Sequence, residues 1–167
     1  DNFLFNISIK ENIRMGNPCA TDEEVLAAAK AARCDEFIRK MEYGYDTLVG
    51  DAGGKLSGGE RQRITIARAI LKPADVVILD EASAYADPEN EVYIEEAINE
   101  LVKDKTLIVV AHRLETIENS DKIVVVDQGK IVAEGTQSEL LKNCALYKRL
   151  WNETILTSEW KRGECNA

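Results

Sequence analysis

The chain has 167 residues, 45% hydrophobic and 31% charged, the composition of a globular protein long enough to bury a core. Its formal net charge of −9 excludes a broad nucleic-acid surface, which needs a basic patch. It does not exclude a nucleotide, because a local array of N–H groups binds phosphate inside an acidic protein. Four cysteines, at positions 19, 34, 144 and 165, and a single histidine fit no zinc spacing, so reduced thiols are expected. Apolar runs such as Leu107 to Ala111 fall well short of the roughly 20 residues a membrane-spanning helix needs. Asp1 in place of an initiating Met suggests a piece of a longer protein, and any membrane role is expected to come through a partner or through missing sequence.

The first third reads as helical. Thr21 and Glu24 stand at capping-box spacing ahead of an alanine-rich stretch from Val25 to Ala32. Asp35 is placed to cap a second short helix containing Phe37, Ile38 and Met41. Glycines at 44, 50, 53 and 54 then mark a loop that turns tightly or comes close to something. Beyond residue 55, helix and strand alternate. A helix is predicted from Gly58 to Leu71, and a buried strand at Val76 to Leu79. Asp87-Pro88 gives a cap followed by proline, opening a helix to about Val102. Thr106 to Ala111 reads as a second buried strand. Lys122–Val126 and Lys130–Glu134 read as two strands joined by the hairpin turn Asp127-Gln128-Gly129. Thr136 and Glu139 form another capping box. A last helix holds Leu146, Tyr147, Leu150 and Trp151, and residues 157–167 read as a loose tail. Such alternation implies a mostly parallel sheet covered by helices, with ligands outside the carboxyl ends of the strands.

Three elements carry chemistry. In Leu56-Ser57-Gly58-Gly59-Glu60, Ser57 caps a helix whose first turn lacks Cβ atoms, so phosphate could approach the exposed N–H groups. A glycine-rich helix start with no ligand is the alternative. In Val76 to Glu81, a hydrophobic strand delivers two adjacent carboxylates, Asp80 and Glu81, which alternation points in different directions. One suits Mg²⁺ and the other an attacking water, as a P-loop nucleotide hydrolase requires, although an acidic turn after a strand is common. His112 ends an apolar strand, where it could hydrogen-bond a γ-phosphate or simply serve the core. The three occur together, in order and at sensible spacing.

On these residues, positions 45–151 resemble the nucleotide-binding domain of ABC transporters. Leu56-Ser57-Gly58-Gly59-Glu60-Arg61-Gln62-Arg63 is similar to the family's signature motif, Val76–Asp80 to its Walker B strand, and Ala111-His112-Arg113 to its switch region. Glu81 stands in the place of the catalytic glutamate and Asp87 in that of the D-loop aspartate. Thr47-Leu48-Val49-Gly50-Asp51 and the closing Leu146–Trp151 stretch resemble exporters, and Asp1–Gly16 resemble the stretch after the family's Q-loop. Exporters mostly carry Gln where Glu60 stands and Glu where Asp51 stands, and Tyr85 is bulky for a D-loop. A Walker A loop needs Gly-Lys followed by Ser or Thr. Gly54-Lys55 and Gly129-Lys130 are followed by Leu56 and Ile131, so neither qualifies.

The resemblance implies a partial P-loop NTPase core of α/β class. Residues 1–71 would form the helical subdomain and signature helix, 72–156 the C-terminal half of the catalytic core, and 157–167 a tail. It further implies a cassette dimer, homo- or heteromeric, closing over ATP and Mg²⁺, with transmembrane domains fused upstream and the whole on the cytoplasmic face of the membrane. Ser57, Gly58, Gly59, Glu60, Gln62 and Asp87 would bind nucleotide, Asp80 the metal, and Glu81 and His112 would be catalytic. The alternatives are a soluble ATPase of the same superfamily, or a non-catalytic interaction module in which the missing Walker A is no accident of length.

Overall fold

A computed structural model describes residues 3–80, 88–111 and 114–164. The chain divides into two compact units, residues 1–108 and 109–167.

The first unit is built around one helix. Ser8 opens α1 (Ile9–Arg14) by accepting a hydrogen bond from the Glu11 N–H, and Thr21 opens α2 (Asp22–Ala31) with the capping box expected of it. A short α3 (Asp35–Ile38) follows, then α4 (Gly58–Leu71). β1 (Val76–Asp80) leads through α5 (Pro88–Val102) to β2 (Thr106–Val110). The helices α1, α2 and α5 all pack on α4. Their buried positions recur at helical spacing: Val25, Ala28 and Ala29 on α2, Ile64 and Ala67 on α4, Ile94, Ala97 and Leu101 on α5. Gly16 permits the closest of these approaches, since a Cβ there would lie 2.0 Å from the Arg68 carbonyl oxygen of α4. Asn12 is wholly buried and gathers the segment ahead of α1. It accepts from the Phe5 N–H at 3.0 Å and donates to the Phe5 and Ser8 carbonyls at 2.9 and 3.1 Å. Arg68 locks this arrangement to α4 through the Asn12 carbonyl and side-chain oxygens, at 2.9 and 3.0 Å.

Asp35 is not the cap of its helix. Cys34 occupies that position without a side-chain bond, and the Asp35 carboxylate accepts from the Tyr45 hydroxyl at 2.8 Å and pairs with Arg39. A tertiary donor has outcompeted the local one.

β1 and β2 pair in a two-stranded parallel sheet, the product of a strand–helix–strand crossover through α5. The α/β class therefore stands, but burial of the strands does not. Val76 is 51% exposed and Ile78 66%, and every residue of β2 is exposed. Hydrophobic pattern reports what a strand is suited to pack against; among the described residues the covering layer is missing.

In the second unit, β3 (Ile123–Asp127) and β4 (Lys130–Gly135) form the expected antiparallel hairpin. Gln128 and Gly129 both have positive φ, 47° and 75°, the backbone of a two-residue hairpin turn. Ile123 and Val125 point into a small core with Leu140 of α6 (Gln137–Asn143) and Tyr147 of α7 (Ala145–Glu164). The Glu139 arm of the expected capping box is in place, accepting from the Thr136 N–H at 2.8 Å. α7 continues to Glu164, so the expected tail is helical through most of its length. No glycine or proline falls between Ala145 and Arg162 to stop it.

Candidate functional site

The tip of α4 is the best-defined candidate. Val49 is buried, and its carbonyl accepts from the Lys55 N–H. Gly50 then turns the chain at φ 77°, a backbone that a side chain at this position would strain. Leu56 is buried and pinned at both ends: its N–H donates to the Gly53 carbonyl, and its own carbonyl accepts from Arg61 at 2.6 Å. These anchors deliver Ser57 to the surface in extended conformation as the N-cap.

Ser57 Oγ accepts from the Glu60 N–H at 3.2 Å, and the Glu60 carboxylate accepts from the Ser57 N–H at 2.8 Å. This reciprocal box satisfies two of the donors that a helix start leaves over. The N–H groups of Gly58 and Gly59 are left without an intramolecular acceptor among the described residues. Glu60 places a negative charge at this tip, but its oxygen is turned back toward Ser57.

The two glycines differ. Gly59 is buried, and a Cβ there would come within 2.6 Å of the Asn90 side chain of α5. Packing alone demands a glycine at 59. Gly58 is exposed, and a Cβ there would meet only the end of Arg61, at 4.0 Å. Nothing among the described residues demands a glycine at 58. The spare room faces outward, toward whatever approaches the helix tip.

Behind the tip lies Arg63, one turn along α4 and buried. Its guanidinium lies over the Phe37 ring at 4.9 Å and the Tyr93 ring at 5.2 Å. It donates to the Arg33 carbonyl and to Asn90 Oδ1, both at 3.0 Å. Cys34 lies in the same interior, where burial pushes its thiol up to about 12. Burial and the neighbouring Asp35 carboxylate likewise raise the Tyr45 hydroxyl. Sequence reasoning missed Arg63, Asn90, Asn12 and Arg68. A signal existed for two of them: Arg63 falls between Gly59 and Ala67 on the apolar stripe of α4, and Asn12 between Ile9 and Ile13 on that of α1.

Of the residues singled out from sequence, Ser57, Gly58, Gly59, Glu60 and Gln62 share the first turns of α4. Asp80 is the exposed last residue of β1. Its carboxylate is joined to the α4 tip by no hydrogen bond or ion pair among the described residues. Glu81, Asp87 and His112 lie outside the described residues. Among the described residues no cluster of three or more His, Cys, Asp or Glu side chains is arranged to hold a metal. No described helix is long and apolar enough to cross a membrane.

The family model for ABC transporters matches residues 1–84, taking in α1 to α4 and β1. The chain belongs to the ABC transporter family. It is 50% identical over 152 residues to a multidrug export ATP-binding/permease protein of Staphylococcus aureus, and 52% identical over 151 residues to one of Bacillus subtilis. These matches cover 91% and 90% of this chain but only 26% of each relative, so the chain spans about a quarter of their length. The solved structure of a bacterial Atm1-family ABC exporter with ATP bound superposes with a TM-score of 0.78 at 42% identity, covering 90% of this chain and 26% of that one. The α/β core is thus a partial ABC-type core.

Proposed function

We propose that this chain is the signature-bearing part of an ATP-hydrolysing cassette in an ABC exporter, located at the cytoplasmic face of a membrane. In this reading it acts only when joined to a Walker A half and closed against a second cassette. The observation that carries the reading is the α4 tip, where, among the described residues, Gly58 leaves outward space that packing does not require and two adjacent N–H groups lack acceptors. A helix N-terminus with free amides favours an anion, typically by about 0.3–1 kcal/mol and by more when partly buried.

Ser57, Gly58 and Gly59 would clamp the γ-phosphate of ATP held on the partner cassette, with Glu60 and Gln62 bordering it. Mg²⁺ suits Asp80, since that ion commonly takes one or two protein carboxylates and completes its shell with water and phosphate oxygens. When bound, Mg²⁺ would neutralise charge on the phosphates. Glu81 would accept a proton from the attacking water, a role worth roughly 10²–10⁴-fold in rate. His112 would hold the water and the γ-phosphate in place, and Asp87 would couple the two sites. The relatives' names, which pair ATP binding with a permease, support attachment to transmembrane domains and an export role.

The 167-residue chain alone is expected to show no Mg-dependent ATP hydrolysis above background, because nothing in it cradles the β-phosphate. Robust turnover by the chain alone overturns that part. In the full-length protein, Glu81→Gln is expected to abolish steady-state hydrolysis while ATP still binds. Unchanged turnover removes Glu81 from the role of base.

A further inference from the structure

We infer that Asn90, acting through Arg63, is a positioning residue that holds the Gly58–Gly59 tip of α4 in register for phosphate. The inference rests on the reading of that tip as an ATP clamp. Arg63 is buried where a cation is costly, and its attachments explain why it is tolerated. Two rings flank the guanidinium, the Arg33 carbonyl at the end of α2 takes one donor, and Asn90 Oδ1 takes another. Its Nε is buried with no acceptor among the described residues. Asn90 is therefore one of the two oxygens that satisfy this group among the described residues, and the one contributed by α5.

The same Asn90 side chain sits against Gly59. Its Cγ, Cβ and Oδ1 lie 2.6, 2.7 and 2.8 Å from where a Gly59 Cβ would be. The amide side chain thus fills the space left by the missing Cβ and, from that place, accepts from Arg63 one turn further along the same helix. Two points on α4, residues 59 and 63, are referred to one residue of α5, which sets both the approach and the rotation of the tip. The Arg68–Asn12 bonds refer the far end of α4 to α1, and Asn90 refers its tip end to α5. Since electrostatic clamping depends on donors aimed at a defined position, this link reaches the phosphate without touching it.

The test compares Asn90→Ala, Asn90→Leu and Asn90→Asp in the full-length protein, by amide hydrogen exchange and by the ATP dependence of hydrolysis. Asn90→Leu keeps the volume without the acceptor, and Asn90→Asp keeps the acceptor. Asn90→Ala and Asn90→Leu are expected to speed exchange at Glu60 and Arg61, whose N–H groups are bonded to Ser57, by about tenfold, leaving α1 and α2 unchanged. They should raise KM for ATP by about three- to tenfold with kcat within about twofold. Asn90→Asp should behave as the parent. Faster exchange throughout the first unit, with Asn90→Asp no better than Asn90→Leu, marks a general packing role and overturns the inference. Gly58→Val separates the two readings. If it leaves KM unchanged, the clamp reading falls, whatever the exchange data show for Asn90. If it raises KM while Asn90→Leu alters neither exchange nor KM, only the positioning role falls.

Discussion

The helices around α4 and the strand pair β1–β2 are both rich in branched apolar residues. The helices bury theirs: Ile9, Ile13, Val25, Ile38 and Ile64 are all fully enclosed. The strands do not, with Ile78 two-thirds exposed and β2 uncovered along its length. The difference lies in who supplies the partner. α1, α2 and α5 pack on α4 and α3 packs on α2, all within this chain, so their apolar positions are satisfied locally. A strand of a parallel sheet needs a layer on each face, and the described residues do not provide both. An exposed, paired apolar sheet is an adhesive surface, and this chain spans only about a quarter of its relatives' length.

The contrast can be broken most directly by matched truncations. Ile64→Ala, in the helical core, is expected to cost about 2–5 kcal/mol by urea denaturation, whereas Ile78→Ala on the strand should cost less than about 0.5 kcal/mol. Equal losses would mean that β1 is as well packed as α4. Gly16→Ala should cost roughly 1–3 kcal/mol in thermal unfolding, because the blocking atom is a backbone carbonyl that cannot swing aside.

A third prediction concerns pH. Cys34 ordinarily ionises near 9 and is pushed up to about 12 in the fold. Between those values the unfolded chain releases a proton that the folded chain keeps, so stability falls as pH rises from about 9 toward 12. The loss should reach about 1 kcal/mol by pH 10. Tyr45 adds to it with the same sign higher up. Cys34→Ala should flatten the decline in the alkaline limb of a stability–pH curve. The smallest effect on stability sharpens the comparison from the other side. Ile78→Lys should shift the unfolding free energy by no more than about 0.5 kcal/mol while lowering fluorescent-dye binding to exposed apolar surface by about half. A large loss of stability instead would show that Ile78 is already covered.

Much of the local structure was legible from residues alone. The capping box at Thr21, the cap at Ser57 and the hairpin at Gln128-Gly129 depend on contacts within a few positions, which spacing reveals. Asp35 was misread as a cap because Tyr45, ten positions on, claims its carboxylate. The end of α7 was misread because a largely polar run carries no apolar period that separates a helix from a tail. At the candidate site, the pattern Ser-Gly-Gly-Glu located the helix tip but treated its glycines as equals. Only Asn90, across the α4–α5 contact, distinguishes the one that packing requires from the one that stands open.

By itself the amino-acid sequence determined where most helices and strands lie, which faces are apolar, the tight turns, the missing Walker A and the family resemblance. Those properties follow from side-chain period, backbone preference and short-range hydrogen bonding. Tertiary structure alone decided that Arg63 and Asn12 are buried and bonded, that among the described residues packing requires Gly59 but not Gly58, and that Val76, Ile78 and β2 are exposed. Each of these depends on which distant segment arrives at contact, and no local pattern encodes that arrival.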